Sequence, residues 1–353
     1  MKKLKLAVVG KDVSKSSSPQ MHKFIAENLG AEIEYGKISV PPEEFPARAE
    51  EFFKEYDGFN VTIPFKLDVL PYLTSLEGDA KTFGAVNTVV SATRTGYNTD
   101  GLGFMLMLRN AGVEPAGKEV LLLGAGGAGR SAAKELSDCG AAVYVYDKRA
   151  ESAQKLAEEF GVTAVAEIIN RRYDVIINAT GVGMHKTEGI SPVREELLSL
   201  CDTAVDLIYV PPKSKFLEIA ESLGKKIING EAMLFYQAYY AECIYLGISP
   251  DEVLQRGLNR IYQGVNYETF IYKRRKFKHD GRKGEGSLRL SDSRRNQRRN
   301  CKAFQGRRVR VLPEQHRGRD LHEAPHRRLR RHNFKRGRVH PLQLRHTRRN
   351  RVD

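Results

Sequence analysis

At 353 residues the chain exceeds the size at which one hydrophobic core usually keeps growing, so two domains are expected. Hydrophobic residues are 41% of it, yet there is no run of about eighteen apolar residues and no charged-then-apolar leader, which argues against a membrane span or a secretory signal and for a cytoplasmic protein. The net charge of +15 would suggest nucleic acid, but from Lys273 onward the chain carries 29 Lys and Arg against 7 acids, +22, leaving −7 for the rest.

The body alternates strands and helices. Leu4 to Val9 reads as an apolar strand, Pro19 to Leu29 as a helix, Glu32 to Ile38 as a second strand, Pro42 to Tyr56 as a helix and Gly58 to Thr62 as a third strand. A break near Asp100 precedes a helix over Gly101 to Ala111, a turn-rich stretch to Gly117, and a fresh start at Glu119 to Leu123. Strands at Ala142 to Tyr146, Val175 to Asn178 and Thr203 to Asp206 continue this second sheet, with helices between. Two late helices, Ala232 to Gly247 and Ser249 to Gln263, carry Leu234, Phe235, Ala238 and Ala241 at helical spacing and are placed to return to the first domain. The expected fold is α/β in two α/β domains, an N-terminal substrate domain (1–101, completed by 236–270) and a Rossmann-type dinucleotide-binding domain (102–235). Residues 271–353 form a basic tail whose composition predicts disorder. The four cysteines, Cys139, Cys201, Cys243 and Cys301, have no metal-type spacing, so no metal site is expected.

The strand Val120 to Leu123 runs into Gly124-Ala125-Gly126-Gly127-Ala128-Gly129 and then a helix, the order a dinucleotide site requires. Gly124 permits the tight turn, Gly126 lets backbone approach a pyrophosphate, and Gly129 allows close helix-to-strand packing at a helix N-terminus that favours negative charge. The next strand ends at Asp147-Lys148-Arg149. Asp147 suits a ribose 2′-hydroxyl and therefore NAD; Lys148 and Arg149, with Arg149 and Arg130 as a bidentate clamp, suit the 2′-phosphate of NADP. The bland reading of Lys148 and Arg149 is a solvated turn.

Three polar clusters lie in the first domain. Ser14 to His22 places Ser16 and Ser18 at a helix start, where their hydroxyls suit a carboxylate and at least one suits a helix cap. Asn60-Val61-Thr62-Ile63-Pro64-Phe65-Lys66 ends a strand on a proline and presents a lysine. Gly84 to Thr88 is followed by Gly96-Tyr97-Asn98-Thr99-Asp100-Gly101. In order and spacing these clusters, with the glycine turn, Asn178 to Met184, Asp206 to Tyr209 and Asn229-Gly230 leading to Met233 and Gln237, resemble the shikimate dehydrogenase family over residues 1 to about 264.

The resemblance implies reversible reduction of 3-dehydroshikimate to shikimate with NADP, NAD being the alternative, in aromatic amino acid biosynthesis. It implies Lys66 and Asp100 as the catalytic pair, Ser16 and Ser18 on the substrate carboxylate, and Thr62, Asn87, Asp100 and Gln237 on its hydroxyls with Tyr209 nearby. Gly183 and Met184 would lie near the nicotinamide, with Asn178 and Thr180 at the pocket edge. Gly230 would complete the cofactor set of Gly124, Ala125, Gly126, Gly127, Gly129, Asp147, Lys148 and Arg149. Relatives commonly have Asn-Arg-Thr where this chain has Asp147-Lys148-Arg149, which keeps an NAD-preferring quinate/shikimate dehydrogenase in play. The expected partner is a small-molecule substrate, with the chain a monomer or homodimer and no specific nucleic acid.

The basic charge of the tail makes a nucleic-acid-binding protein the reading of another class, although the tail has little aliphatic content and almost no aromatic interleaving beyond Phe277, Phe304 and Phe334. It is also the pattern expected of an out-of-frame segment. Codons exist for Leu329 to Arg351 whose neighbouring frame reads GYDGIILNAGAYTHYSYDIRDAIE, and for Pro313 to Asp320 whose neighbouring frame reads QSNTEGEI, both resembling type II 3-dehydroquinate dehydratase in that family's order.

Overall fold

The computed structural model describes residues 3–250 and Gly257. The helix expected over 249–263, apart from its first two residues and Gly257, and the whole tail lie outside the described residues.

Two six-stranded sheets organise the fold. The first begins with β1 (Leu4–Gly10), α1 (Ser18–Asn28), β2 (Ile33–Ser39), α2 (Phe45–Glu55) and β3 (Gly58–Val61), close to the expected elements. It then adds β4 (Ser75–Glu77), α3 (Asp79–Phe83), β5 (Thr88–Val90) and β6 (Thr95–Tyr97), with strand order β2-β1-β3-β5-β6-β4. The sequence pattern anticipated a largely parallel sheet, but β5 runs antiparallel to both β3 and β6. Three-residue strands are too short to show an alternation of period two, which is why β4 to β6 escaped a pattern-based reading. Both faces are covered. Leu6 and Val8 pack with Ala26 and Tyr35 on one side. On the other, Val9 joins Phe45, Phe52, Phe59 and Phe65.

The helix α4 (Asp100–Asn110) leads to the second sheet, made by β7 (Glu119–Leu123), α5 (Gly127–Asp138), β8 (Ala142–Tyr146), α6 (Ala150–Phe160), β9 (Thr163–Ala164), β10 (Tyr173–Asn178), α7 (Glu195–Ser199), β11 (Cys201–Asp206), α8 (Lys215–Ser222) and β12 (Lys226–Asn229). Its order is β12-β11-β10-β7-β8-β9 and every pairing is parallel. Strand β7 shows why: Val120 and Leu122 enter one buried cluster with α4 and α5, Leu121 and Leu123 another with Phe216 and Leu217, so an unbroken apolar run serves two faces. The chain reverses direction across the sheet between β7 and β10. That switch point is where open α/β sheets leave a crevice beyond the carboxyl ends of their strands.

The last described helix, α9 (Glu231–Leu246), is apolar nearly all round and packs on α1 and α4. Its Tyr245 ring reaches Gly58 of β3, so the chain does return to the first sheet after completing the second.

Candidate active site

Three segments converge on Lys66. The segment after β3 is anchored by Phe65, fully buried and stacked on Phe45 with ring centroids 4.3 Å apart, which fixes the backbone of the next residue. The carbonyl of Lys66 then accepts the Val86 amide at 2.9 Å, drawing it to the segment that carries Asn87. Its ammonium donates to Asp100 Oδ2 at 2.5 Å. Asp100 is the first residue of α4, where a carboxylate is favoured by the helix dipole, and its amide is held by Asn98 Oδ1 at 3.1 Å. Its second oxygen accepts from Asn87 Nδ2 at 2.8 Å.

Behind this triad lies a buried polar frame of Tyr35, Asn60, Thr88 and Thr99, to which sequence reading gave no role. Asn87 Oδ1 accepts from the Thr99 amide at 3.0 Å and the Thr88 hydroxyl at 2.9 Å, which fixes which way its amide faces. Asn60 donates to the Asn87 carbonyl and to Thr88 Oγ1, each at 3.1 Å, and accepts from the Tyr35 hydroxyl at 2.7 Å. These partners come from different strands, so only the fold brings them together.

Ser16 and Ser18 sit half-buried at the start of α1, their hydroxyls 3.0 Å apart. The expected capping bond is absent: Ser17 occupies the cap position without a side-chain bond, and Ser16 Oγ accepts the Ser18 amide at 3.2 Å instead. Thr62 is half-buried, four residues before Lys66. Gln237 of α9 is brought to the same end of α4, because Gly103, one turn beyond Asp100, packs so tightly that a Cβ there would lie 2.7 Å from the Gln237 amide nitrogen. Tyr209, on the loop after β11, is 39% exposed.

The glycine turn follows β7 at the switch point. Gly124 has φ +100°, a backbone only glycine adopts readily. A Cβ on Gly129 would collide with the Gly124 carbonyl, whereas one on Gly126 or Gly127 would meet nothing within 4 Å. That open concavity over the first amides of α5, which have no intrahelical acceptor, fits a pyrophosphate. Gly129→Ala is therefore expected to lower stability by about 1–3 kcal/mol while Gly126→Ala leaves it within about 0.5 kcal/mol; urea unfolding of the pair checks it, and equal losses would contradict the geometry.

Across the switch point, the loop after β10 carries Thr180, Gly183 and Met184, and Gly230 lies behind the loop after β11, its amide donating to the Ile208 carbonyl at 3.1 Å. At the end of β8, Asp147 turns inward. Its Oδ2 accepts the Ala125 amide at 2.8 Å and its Oδ1 the Arg149 amide at 2.9 Å. Burial raises this carboxyl, but those two amides and the Arg149 guanidinium outweigh it and hold it below the usual range. Lys148 and Arg149 are left exposed at the surface. Arg130 does not join Arg149: it makes a forked pair with Glu159 and lies over the rings of Phe83 and Phe160.

Gly101 abuts α5, where a Cβ would come within 2.7 Å of Glu135 Oε1. Glu135 shares this spot with Asp79 of α3 and with Lys134, whose ammonium is 3.3 Å from Asp79 and 3.8 Å from Glu135. Burial, and then the neighbouring Asp79 carboxylate, push Glu135 up to about 7. Because this exceeds the ordinary 4.5, its contribution to stability is fully present below pH 4.5 and is lost as the pH rises through about 7. Glu135→Gln should thus melt a few degrees above the parent at about pH 8 and together with it near pH 4.5; melting curves that stay parallel across that window would contradict this.

Among the described residues, no group of three or more His, Cys, Asp or Glu is placed to hold a metal ion, and no helix is long and apolar enough to cross a membrane.

A family model for the shikimate dehydrogenase substrate binding domain matches residues 8–89, and one for the C-terminal domain of alanine dehydrogenase/PNT matches residues 89–189. A shikimate dehydrogenase (NADP(+)) of Thermus thermophilus is 39% identical over 250 residues, covering 70% of this chain and 94% of that protein. The chain belongs to the shikimate dehydrogenase family. The solved structure of a Thermus thermophilus shikimate 5-dehydrogenase, in complex with NADP(H) and shikimate, superposes with a TM-score of 0.65 at 37% identity over 73% of this chain and 99% of that one. A chorismate mutase/shikimate 5-dehydrogenase fusion protein from Clostridium acetobutylicum gives a TM-score of 0.68 at 35% identity, covering 75% and 98%. The shikimate dehydrogenase family thus accounts for both sheets and for the helix that follows them, while the basic tail lies beyond the matched length.

Proposed function

We propose that this chain is a cytoplasmic shikimate dehydrogenase that reversibly reduces 3-dehydroshikimate to shikimate with NADPH. The observation that carries it is the Lys66–Asp100–Asn87 triad: a charged amine held at 2.5 Å by a carboxylate that is itself oriented at 2.8 Å by a buried amide. The glycine turn would hold NADPH, which when bound would supply the hydride that reduces the ketone. Lys66 donates a proton to the oxygen on which negative charge develops, and its charge stabilises that oxygen until the transfer is complete. Asp100 orients Lys66 and accepts a hydrogen bond from a ring hydroxyl. Ser16 and Ser18 bind the ring carboxylate; Thr62, Asn87, Gln237 and Tyr209 bind its hydroxyls. The division of labour follows the sequence-derived boundaries, residues 1–101 with 236–270 for substrate and 102–235 for the dinucleotide.

The preference for NADP rests on the direction of Asp147. Asp147 is spent on two backbone amides and a loose pair with Arg149, whose Nε lies 3.7 Å from its Oδ1, so the exposed cations of Lys148 and Arg149 are the groups that would meet the adenosine ribose, and a 2′-phosphate gains most from them. Gly124, Ala125, Gly126, Gly127 and Gly129 cradle the pyrophosphate, and Thr180, Gly183, Met184 and Gly230 border the nicotinamide end. Asp147 remains the one feature that favours the NAD-preferring quinate/shikimate alternative. Nicotinamide absorbance with shikimate and with quinate, each against NADP and NAD, tests the reading. Shikimate with NADP should be fastest, and Arg149→Glu should raise KM for NADP about 10–100-fold while leaving KM for NAD within a factor of about two. Turnover with none of the four pairs by the folded protein would refute the enzyme reading.

The tail we assign to a shifted reading frame over the codons of residues 271–353, overlying a type II 3-dehydroquinate dehydratase sequence. Such an enzyme produces the substrate proposed here. Coding DNA with no dehydratase-like frame beyond about codon 270 would refute it.

A further inference from the structure

A second buried polar cluster lies at the carboxyl ends of β10 and β11, and none of the roles above explains it. Asn178 and Asp206 are the last residues of these strands, they are in register with each other, and both are fully buried. Each opens a loop that borders the proposed reacting centre, 179–187 with Gly183 and Met184, and 207–214 with Tyr209.

Every polar atom of the two side chains is spent on those loops. Asn178 Oδ1 accepts from the Thr180 hydroxyl at 2.6 Å and the Thr180 amide at 3.1 Å, while its Nδ2 donates to the Val182 carbonyl at 3.0 Å and to Asp206 Oδ1 at 3.1 Å. Asp206 Oδ1 also accepts the Ile208 amide at 3.0 Å, and Oδ2 accepts the Ser214 hydroxyl. Ser214 in turn caps α8 by accepting the Leu217 amide at 3.4 Å, so the bond from Asp206 closes the Tyr209 loop at both ends. The loops touch directly: a Cβ on Gly183 would lie 3.3 Å from Ile208 Cδ1 and 3.3 Å from Ser214 Cβ. Burial pushes the Asp206 carboxyl up, against the pull of its donors Ser214, Ile208 and Asn178. A packed apolar pair would hold two strand ends together without that desolvation, whereas only a multivalent acceptor ties the asparagine that ends β10 to an amide and a hydroxyl at the two ends of the 207–214 loop.

We propose that Asp206 is a positioning residue which, through Asn178, locks the 179–187 and 207–214 loops into one unit, so that Met184 and Tyr209 meet cofactor and substrate in a fixed relation. The proposal rests on the dehydrogenase reading for its consequence but not for its test. Amide hydrogen exchange on the full chain without ligand is compared between the parent and Asp206→Asn, a variant of nearly equal shape that can no longer accept from Asn178, Ile208 and Ser214 together.

The expected result is exchange roughly tenfold faster at Thr180, Val182 and Gly183, on the loop to which Asp206 does not belong, as well as at Ile208, with the amides of β7 unchanged. The kcat for shikimate oxidation should fall roughly tenfold or more, while the Kd of adenosine 2′,5′-bisphosphate, which reaches only the distal half of the dinucleotide site, stays within about a factor of two. Should Asp206→Asn fail to fold, Ser214→Ala keeps the carboxylate and removes one donor, and the same pattern is expected at smaller amplitude. Faster exchange confined to 207–214, or spread equally through β7, would overturn the proposal. An inactive parent whose two loops are nevertheless coupled would sink the dehydrogenase reading and leave the lock standing.

Discussion

Replacing Lys66 by alanine is expected to lower kcat about 10³-fold and to leave the melting temperature within a few degrees of the parent. The size follows from the two tasks assigned to one amine, proton donation and charge stabilisation, which together correspond to about 4 kcal/mol of transition-state energy. The small structural effect follows from exposure: the Lys66 side chain is 29% exposed and its partner Asp100 is 19% exposed, so neither is left as an uncompensated charge in a dry interior. Asp100→Asn keeps the shape that Asn87 and Lys66 contact but removes the charge, and should cost about 10²-fold. Because Lys66 and Asp100 act as a unit, the double variant should be little worse than Lys66→Ala alone. Steady-state kinetics of the three variants checks this. A Lys66→Ala enzyme with kcat within about tenfold of the parent would remove the amine from the chemistry.

The largest stability effect is expected far from the reacting atoms. His22 Nδ1 and Glu242 Oε1 are 2.6 Å apart, at 1% and 0% exposure, and the imidazole stacks on Tyr35 with centroids 4.4 Å apart. The second oxygen of Glu242 has no hydrogen-bond partner among the described residues. His22→Leu strips the remaining partner from a buried carboxyl and should cost about 3–5 kcal/mol, on the order of 10 °C in a domain of this size. Glu242→Leu combined with His22→Leu should be less harmful than His22→Leu alone, since two apolar groups leave nothing unsatisfied. The bond also joins α1, which opens at the two serines, to α9, which carries Gln237, so KM for shikimate should rise more than KM for NADP. Denaturant unfolding gives the first result. A His22→Leu loss below about 1 kcal/mol would show that the pair holds nothing together.

How much of this was legible from the chain alone depends on how local each signal is. The glycine turn, the strand before it and the helix after it announce themselves within about twelve residues, and the structure places them at the switch point where a dinucleotide site is expected. The clusters around Lys66, Asn87 and Asp100 were readable as motifs, and the fold brings those three side chains into contact. The short strands β4, β5, β6 and β12 were missed because three or four residues carry no period. Asn60 was visible only as part of the motif before Lys66; its hub role needs Tyr35 and Thr88, which lie 25 and 28 residues away. The His22–Glu242 bond spans 220 residues and leaves no local trace. Charge type alone did not show that Arg130, read as a phosphate ligand beside the glycine turn, pairs with Glu159 and lies over two aromatic rings. For Asp147 the residue type was compatible with either cofactor, and only the direction of the carboxylate separates them.

The most direct test is to supply NADPH carrying deuterium at both hydrogens of the nicotinamide C4, together with 3-dehydroshikimate, and to weigh the product. The parent enzyme should give shikimate with one deuterium on the carbon that was the ketone, and Lys66→Ala should give the same label about 10³-fold more slowly. Product without deuterium, or label transferred at an undiminished rate by Lys66→Ala, would contradict the assignment of hydride transfer to this cleft and of the proton to residue Lys66.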